Sequence, residues 1–375
     1  MFFRYLLFAY LIGCTYMFVR GWQSLEILGR RRIWFTVIFW IVTLTFVVMR
    51  QRIVSGVLYD VLYPVGFTLL AAVLYGFLIL LIIDILRIVG WAGKIRHDFI
   101  CLNYKLTKAI MFVVVCLALS VILVAGYCNA HRPRTTHLTI AVNKKAGELK
   151  LLRVAMASDI HMGNIHGHKT IARIVNIINE QCPDVVLLVG DIFDGNPETV
   201  IRNDLGVDFR RLQNKYGIYI VNGNHERIGE RESQNMSLDY LASRGIQPLL
   251  DSAILIDSSF YVVGRKDRST RTRKTIPELL NDLDRQLPII MLDHQPLNLE
   301  EAELAGIDLQ LSGHTHHGQM FPLNFITGKI FEHDWGFLQK GKTNFYISCG
   351  VGTWGPPIRT AGYSEVVIID LELNR

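Results

Sequence analysis

Two kinds of hydrophobic pattern divide this chain near residue 127. Residues 5–19, 33–49, 61–83 and 110–127 are long and almost continuously apolar, as is typical of helices that cross a membrane. After residue 150, short apolar runs alternate with stretches in which apolar residues recur at helical spacing. We therefore expect about four transmembrane helices over residues 1–127, a juxtamembrane linker over 128–150 and an α/β domain over 151–375.

The first apolar run could instead be a secretory signal peptide. It leads into Arg20 and Gly21 without a small-x-small cleavage site, and three more apolar runs follow, so a membrane helix is favoured. Near the end of the third run, Asp84 and Arg87 stand at helical spacing. This spacing favours an ion pair at the membrane interface over a transport site.

Basic residues in the short loops predict the orientation. Nine lie on one side of the membrane and five on the other, and the richer side is expected to be cytoplasmic. We therefore expect an integral membrane protein whose C-terminal domain is extracytoplasmic. The nine are Arg20, Arg30, Arg31, Arg32, Arg87, Lys94, Arg96, Lys105 and Lys108, and the five are Arg4, Arg50, Arg52, Arg132 and Arg134.

Composition adds little beyond this division. The hydrophobic fraction of 50% averages two unlike halves, and the net charge of +6 is concentrated between apolar runs, so we predict no nucleic-acid binding. The 6 cysteines contain no CxxC pair, which argues against a zinc knuckle or a disulfide scaffold. Cys182 and Cys349 could pair only if the fold brings them together.

Five short apolar runs of the second half, each read as a buried strand, end in residues that can bind metals. The ligand sites of α/β sheets collect beyond the carboxyl ends of strands, so these residues are expected to converge. The runs are residues 151–157, 185–189, 218–221, 288–292 and 307–311, and the groups that follow them are Asp159-Ile160-His161, Gly190-Asp191-Ile192-Phe193-Asp194, Gly223-Asn224-His225-Glu226, Asp293-His294-Gln295-Pro296 and Gly313-His314-Thr315-His316.

These groups predict a site for two divalent cations. Asp191 is the natural bridging carboxylate, which needs both oxygens free to coordinate. Asp159, His161 and His316 would complete the coordination shell of one ion. Asn224, His294 and His314 would complete that of the other ion, with the Asn224 amide oxygen in place of another carboxylate. Mixed oxygen and nitrogen ligands suit Mn²⁺ first, and then Fe or Zn.

The charge of such a site predicts a phosphate ester as the substrate. Two dications and two aspartates leave a net charge of about +2, which attracts a phosphoryl group and stabilises charge on its oxygens. A metal-bound hydroxide would attack in line. His225 directly follows a ligand and is expected to face the leaving oxygen, while Asp194 would hold its imidazole in the useful tautomer.

The same groups, in order, resemble the calcineurin-like metallophosphoesterases, whose blocks are DxH, GDxxD, GNH(D/E), a histidine before x-Pro, and GHxH. The resemblance covers about residues 150–372 and implies a double β-sandwich flanked by helices, with the metal roles assigned above. The stretch from Gly350 to Arg359 is similar to the often membrane-associated bacterial branch that includes YkuE- and YaeI-like phosphodiesterases, and this resemblance implies a location in the bacterial inner membrane. That branch usually has a glycine where this chain has His317, so the geometry of the turn and the substrate preference could differ here.

The substrate and the roles of several residues stay open at this stage. The ester could be a monoester or a diester, and the membrane anchor makes a lipid-linked ester a candidate, either a phospholipid or a pyrophosphate of the UDP-diacylglucosamine type. Some relatives hydrolyse the latter, but its hydrolysis requires access from the cytoplasm, which conflicts with the predicted orientation.

Arg359 could clamp a substrate phosphate or form a structural ion pair, and His317 is a second candidate for substrate contact. A non-catalytic membrane signalling or scaffold protein, or a transporter with a regulatory domain, are the alternative functions; the plain apolar spans oppose the transporter.

Three further segments have two interpretations each. His166 and His168 are better explained as loop or helix-start residues than as metal ligands. Residues 265–274 carry six basic side chains and form either a solvated loop or a contact for anionic lipid headgroups. The apolar residues 321–326 form either a lip over the site or part of the core.

Overall fold

The computed structural model describes residues 2–51, 53–93, 103–195, 197–226, 231–270 and 272–374. Its residues divide into two compact units. One unit comprises Met1–Cys128 with Gly355–Ile358, and the other comprises Asn129–Trp354 with Arg359–Arg375. Of the basic residues used to predict the orientation, Arg52, Lys94 and Arg96 lie outside the described residues.

The first unit is helical, as the apolar runs predict. Its helices are α1 (Phe2–Ser24), α2 (Arg32–Arg50), α3 (Gly56–Ala92) and α4 (Tyr104–Ala130), and a short 3-10 helix (Glu26–Arg31) precedes α2. Within the described residues, three segments are long and apolar enough to cross a membrane: Glu26–Arg50, Gly56–Ala92 and Tyr104–Ala130. The expectation of about four helices is therefore confirmed, with three of them meeting the length and hydropathy of a span.

Close packing and one polar cluster join the first three helices. Gly66 of α3 lies so near α2 that a side chain there would contact the Phe46 backbone, as small residues allow between membrane helices. Asp84 pairs with Arg20 and accepts a hydrogen bond from Tyr16 of α1 at 2.5 Å. Arg87, the expected partner, is 3.8 Å away. The principal partner of Asp84 is therefore on another helix, a long-range contact that spacing along one helix does not reveal.

The second unit contains two six-stranded sheets. The first has the order β1-β12-β2-β3-β4-β5 and the second the order β10-β11-β9-β8-β7-β6. The strands are β1 (Arg134–Lys145), β2 (Leu151–Ala157), β3 (Val185–Val189), β4 (Ile218–Val221), β5 (Ile246–Pro248), β6 (Ser252–Ile256), β7 (Phe260–Gly264), β8 (Ile289–Leu292), β9 (Leu309–Ser312), β10 (Gly336–Lys340), β11 (Thr343–Ile347) and β12 (Glu365–Asn374).

The expected linker contains a strand. Residues 134–145 form β1, which pairs in parallel with β12 along the edge of the first sheet. The polar and basic composition of this segment had suggested a connector, and this interpretation was wrong for these residues. The reason is that β1 is an edge strand with alternating exposed and partly buried side chains, so it needs few apolar residues.

One hydrophobic core lies between the two sheets. It combines side chains of the first sheet, such as Leu187 and Val189, with side chains of the second, such as Leu292 and Leu311. The outer face of the first sheet packs against α5 (His168–Glu180), whose apolar residues recur at helical spacing and are buried: Ile171, Ile174, Val175 and Ile178. The predicted sandwich of two sheets flanked by helices is thus confirmed.

Short helices complete the second unit. They are α6 (Glu198–Arg202), α7 (Arg231–Ala242), α8 (Ile276–Leu280), α9 (Leu299–Ala305) and α10 (Asn324–Ile330), with 3-10 helices at Val207–Arg211 and His316–Gly318. The parallel pairs β2-β3-β4 and β7-β8-β9 bring the loops that follow these strands to the same edge of the sandwich. That edge holds the candidate site.

Candidate metal centre

Six of the seven predicted metal ligands meet at this edge. Three groups of side chains each bring their ligand atoms within 4.8 Å of one another. The first group is Asp159, His161 and His316; the second is His161, Asp191 and His225; the third is Asp191, His294 and His314. The groups share His161 and Asp191, so they form one continuous cluster.

In the first group, two imidazole nitrogens face each other. His161 Nε2 lies 3.1 Å from His316 Nε2, and His316 Nε2 lies 3.4 Å from Asp159 Oδ1. Burial lowers the pKa of both imidazoles well below the ordinary value. Both rings are therefore neutral near pH 7, and two neutral nitrogens at this distance are compatible only with a proton or a cation between them.

In the third group, Asp191 and His294 form the closest pair. His294 Nδ1 donates to Val189 O at 2.8 Å, which leaves Nε2 facing Asp191 Oδ2 at 3.2 Å. Burial alone would lower the pKa of His294, but the charge of Asp191 outweighs it and holds that pKa well above the ordinary value. A positive charge is therefore strongly favoured between these two atoms, and a metal ion can replace the proton.

Asp191 presents a single oxygen to the cluster. Its Oδ2 lies 3.2 Å from His294 Nε2 and 4.0 Å from His161 Nε2, whereas Oδ1 accepts a hydrogen bond from the His225 backbone N–H at 2.8 Å. The prediction that both oxygens are free for coordination is therefore wrong, because Oδ1 already accepts a hydrogen bond. A backbone donor from the next loop occupies Oδ1, a contact between β3 and β4 loops that no local pattern indicates.

Two glycines allow the carboxylates to approach the neighbouring loops this closely. A Cβ on Gly223 would lie 2.1 Å from Asp191 Oδ1, and a Cβ on Gly313 would lie 2.3 Å from Asp159 Oδ2. In the space left by Gly313, both oxygens of Asp159 accept from the His314 backbone N–H at 3.1 Å. Each carboxylate is thus held by the backbone of another motif.

Backbone conformation is unusual at most of the predicted ligands. A left-handed conformation is uncommon outside glycine, and its concentration in one place is typical of functional sites. Five of the seven predicted ligands have a positive φ: Asp159 (53°), His161 (51°), Asp191 (52°), His314 (71°) and His316 (50°). The tight turns that follow the strands therefore decide where these side chains point.

Asn224 completes the predicted set. Its Oδ1 atom is buried and has no hydrogen-bond partner among the described residues. A buried amide oxygen without a donor is costly unless something binds it. Its position, beside the Gly223 turn and one residue before His225, suits a metal ligand, and that assignment stays a proposal.

Glu226 was missed as a functional residue by sequence reasoning. It is buried, and its carboxylate accepts four backbone N–H groups: those of Asp191 (3.1 Å), Ile192 (2.5 Å), Phe193 (3.1 Å) and Gly223 (2.6 Å). Burial, together with the nearby charge of Asp191, raises its pKa to about 7. Glu226 therefore shapes the loop that carries Asp191, and its place in the Gly-Asn-His-Glu group was the available signal.

His225 and Asp194, the predicted catalytic pair, lie beside the cluster. His225 Nδ1 is 3.9 Å from Asp194 Oδ1, and His161 Nδ1 is equally far from the same oxygen. These distances are too long for hydrogen bonds, so the carboxylate lies between two imidazoles rather than holding one of them. The His225 ring also lies 6.0 Å from the ring of Trp354. The catalytic roles of both residues stay predictions.

Arg359 is fully buried, and its guanidinium binds backbone carbonyls. It donates to Gly352 O at 2.7 Å and to His316 O at 3.1 Å. These bonds join the turn that carries a predicted ligand to the loop at residues 350–353. The geometry favours a structural role over the expected contact with a substrate phosphate, and the bonds go to carbonyls rather than to the expected ion-pair partner.

His317 occupies the position where a glycine was expected. It has a left-handed backbone (φ 48°), the conformation that glycine adopts most easily. Its Nδ1 lies 3.0 Å from Asp334 Oδ2, and its ring lies 4.9 Å from that of Trp335. The side chain is therefore held by residues of the following segment, and a contact with the substrate stays a prediction.

The two upstream histidines have other partners. His166 is buried, and its Nε2 accepts the Thr353 backbone N–H at 2.9 Å, while burial lowers its pKa to about 3. His168 Nε2 donates to Asn203 O at 2.9 Å. Neither belongs to the three groups of potential ligands found among the described residues.

Part of the basic segment at residues 265–274 is held in ion pairs behind the cluster. Asp293, which precedes the ligand His294, pairs with Arg273 and lies 3.3 Å from Arg265 Nη1. Lys266 pairs with Asp251 at 3.5 Å. Arg271 lies outside the described residues. Much of the positive charge is thus neutralised within the fold, which weakens the interpretation as a lipid contact.

The donor set fits two divalent transition-metal ions. Neutral imidazoles and carboxylates are their ordinary ligands. Burial lowers the pKa of His314 to about 4 and raises that of Asp159 to about 6. The lowered pKa keeps the His314 imidazole neutral near pH 7, with one nitrogen available as a ligand. A nearby cation would stabilise the ionised form of the buried Asp159 carboxyl. Buried polar atoms without hydrogen-bond partners among the described residues, including Asn224 Oδ1, also favour a metal site.

A family model described as calcineurin-like phosphoesterase matches residues 152–318. A metallophosphoesterase of Campylobacter jejuni is 32% identical over 279 residues, which cover 72% of each chain. The chain belongs to the calcineurin-like phosphoesterase family. The resemblance noted from the motifs is therefore confirmed, and this phosphoesterase is a hydrolase of phosphoric esters.

Two other relatives differ in how much of their length is matched. A transmembrane protein with a metallophosphoesterase domain from Danio rerio is 30% identical over 269 residues, or 68% of this chain and 61% of that protein. The metallophosphoesterase YkuE of Bacillus subtilis is 27% identical over 260 residues, or 66% of this chain and 88% of that protein. The apolar helices and the first of these relatives support membrane association of this phosphoesterase.

Proposed function

We propose that this chain is a membrane-anchored phosphoesterase that uses two divalent metal ions to hydrolyse a phosphate monoester or diester. The observation that supports this most strongly is the position of Asp191 Oδ2, within 4.0 Å of His161 and 3.2 Å of His294. One carboxylate oxygen that lies between two groups of imidazoles can bridge two neighbouring cations.

Seven side chains would hold the metal ions in this proposal. Asp159, His161 and His316 would bind one ion, Asn224, His294 and His314 would bind the other, and Asp191 would bridge them. Two bound dications would polarise the phosphoryl group and make water a competent nucleophile near neutral pH. Mn²⁺ is the proposed metal because the ligands mix oxygen with nitrogen, with Fe or Zn as alternatives.

The remaining residues would act on the leaving group and on the shape of the site. His225 lies beside the cluster rather than within its ligand pairs, and its imidazole would donate a proton to the leaving oxygen. Asp194, whose Oδ1 lies 3.9 Å from His225 Nδ1, would orient that imidazole toward the leaving oxygen. Glu226 and Arg359 would hold the loops that carry Asp191 and His316, respectively.

The direct test is hydrolysis of bis-p-nitrophenyl phosphate and p-nitrophenyl phosphate by the full-length protein in detergent. We expect activity with Mn²⁺, loss of activity with a chelator, and a fall of roughly a thousandfold in kcat for Asp191→Asn. A fully metal-loaded wild-type protein that hydrolyses neither ester would contradict the proposal and favour a binding or scaffold role.

We also propose that the phosphoesterase domain is extracytoplasmic. The excess of basic residues at the ends of α1 to α4 and in the connections between α1 and α2 and between α3 and α4 supports this orientation. Alkaline phosphatase fused after residue 374 should then be active in bacterial cells, since that enzyme requires export. An inactive fusion, together with a fluorescent fusion of green fluorescent protein at the same position, would place the domain in the cytoplasm.

A further inference from the structure

An unusual group of exposed apolar side chains follows the histidine turn. Phe321, Phe325, Ile326 and Ile330 are between 51% and 62% exposed, and we call these four residues the apolar lip. Elsewhere in the described part of the second unit, large exposed apolar residues such as Leu304 and Leu255 are scattered singly. Such a concentration in one short segment marks an interaction surface.

The lip is rigidly joined to the metal centre. Asp334, just after the lip, accepts a hydrogen bond from Thr327 at 2.6 Å, and its backbone carbonyl accepts one from Thr315 at 2.5 Å. His317 Nδ1 lies 3.0 Å from the same Asp334 carboxylate. At the inner end, the Phe331 ring lies 6.0 Å from the ring of the predicted ligand His314. The exposed side chains therefore belong to an ordered segment that begins and ends at the site.

The charge of the lip suits an anionic surface. Residues 319–331 contain no aspartate or glutamate and one lysine, Lys329, which is exposed. Apolar side chains flanked by a cation are typical of segments that lie in the interface of a bilayer. The second unit would also be attached to a bilayer by a short connection, because the candidate membrane span Tyr104–Ala130 ends only a few residues before β1 begins at Arg134.

We propose that the apolar lip docks on an anionic phospholipid bilayer and that the substrate of the metal centre is a phosphate ester carried by a lipid of that bilayer. This inference rests on the proposed function and specifies its substrate class. By inserting beside the acyl chains, the lip would bring a lipid phosphate to the metal centre. The ring of the predicted ligand His314 lies 6.0 Å from that of Phe331, directly after the lip. Water would form a new bond to phosphorus while the P–O bond to the leaving alcohol breaks. For a diester, a proton from water passes to the alcohol oxygen, and the lipid phosphate stays in the bilayer.

The test compares two substrates with the same leaving group. The full-length protein is reconstituted in nanodiscs of phosphatidylglycerol and phosphatidylcholine. It is then assayed with soluble bis-p-nitrophenyl phosphate and with the p-nitrophenyl ester of phosphatidate placed in the nanodisc, both of which release p-nitrophenol. For Phe325→Ser/Ile326→Ser/Ile330→Ser, we expect kcat/KM on the lipid ester to fall about tenfold or more, with little change on the soluble ester.

Two variants make this result specific. Leu304→Ser removes an exposed apolar side chain from α9, outside the lip, and should leave both activities unchanged. Phe325→Trp keeps an aromatic ring suited to the membrane interface and should retain lipid hydrolysis. Equal activity of the triple variant and the wild type on the lipid ester would overturn the docking proposal, as would a parallel loss on both esters. If the wild type cleaves neither ester, the proposed function itself fails.

Discussion

The Nε2 atoms of His161 and His316 face each other at 3.1 Å, although the two residues are 155 positions apart in the chain. Burial lowers the pKa of both imidazoles, so near pH 7 both rings are neutral, and one can donate its single Nε2–H to the other. A metal ion can replace that shared proton and bind both nitrogens, and this has consequences for stability.

Metal ions should stabilise the folded protein. At a free metal concentration of about one hundred times Kd, binding contributes about 2.7 kcal/mol, which for a domain of this size is a rise in Tm of roughly 5–10 °C. Differential scanning fluorimetry of the chelator-treated full chain, with and without Mn²⁺, Fe²⁺ or Zn²⁺, measures it. The variant His161→Ala/His316→Ala should show a much smaller rise. A wild-type Tm that none of these metals changes would contradict the assignment.

The metal-dependent rise in Tm should increase with pH. Because Asp191 holds the pKa of His294 well above the ordinary value, that imidazole carries a proton that a metal ion must displace. Raising the pH weakens this competition, so Mn²⁺ should stabilise the protein more at about pH 8 than at about pH 6. Isothermal titration calorimetry in buffers of different ionisation enthalpy should detect the released proton. Metal affinity that is the same at both pH values, with no proton release, would argue against His294 as a ligand.

His225→Ala should affect poor leaving groups more than good ones. A proton donor to the leaving oxygen contributes about a hundredfold or more when the leaving group is basic, and much less for p-nitrophenolate. Comparing kcat on diphenyl phosphate and bis-p-nitrophenyl phosphate measures this difference. The control is His168→Ala, because the His168 ring is exposed and donates to Asn203 O outside the cluster. This variant should hydrolyse both esters as the wild type does. Losses of equal size on the two esters would mean that His225 has another role.

Glu226→Gln should destabilise the loop that carries Asp191. The amide group would face two of the backbone N–H groups that the carboxylate now accepts, leaving buried donors unpaired at a cost of about 2–4 kcal/mol. Chemical denaturation should show this loss, and metal content should fall with it. Glu300→Gln, at an exposed position of α9, should have no effect on either quantity. Normal stability of Glu226→Gln would show that the four hydrogen bonds contribute little.

Arg359→Met distinguishes a structural role from a substrate contact. The variant leaves the carbonyls of His316 and Gly352 without their donor, so the free energy of unfolding should decrease by about 3 kcal/mol. Inhibition by inorganic phosphate should keep the wild-type constant in the folded protein. If phosphate inhibits the variant more weakly and its stability is unchanged, Arg359 binds the substrate phosphate after all.

Local pattern was sufficient for the elements that are buried and regular. The predicted runs at residues 151–157, 185–189 and 218–221 are strands with the same bounds, because continuous apolar residues bounded by turn residues leave few other conformations. The apolar residues of α5 likewise recur at helical spacing along the chain. The edge strand β1 was not predicted, because a strand that is only partly buried has no strong hydrophobic pattern.

The sequence by itself determined the family, the order of the metal-binding motifs and the division into an apolar and a globular half, because these depend on residue type and spacing along the chain. Only the tertiary structure decided that one oxygen of Asp191 faces both histidine groups, that Glu226 gathers four backbone donors, and that Arg359 binds carbonyls. It also decided that residues of the apolar lip are exposed rather than buried. Each of these depends on contacts between loops that follow different strands, and spacing along the chain does not encode the direction in which a side chain points after a left-handed turn.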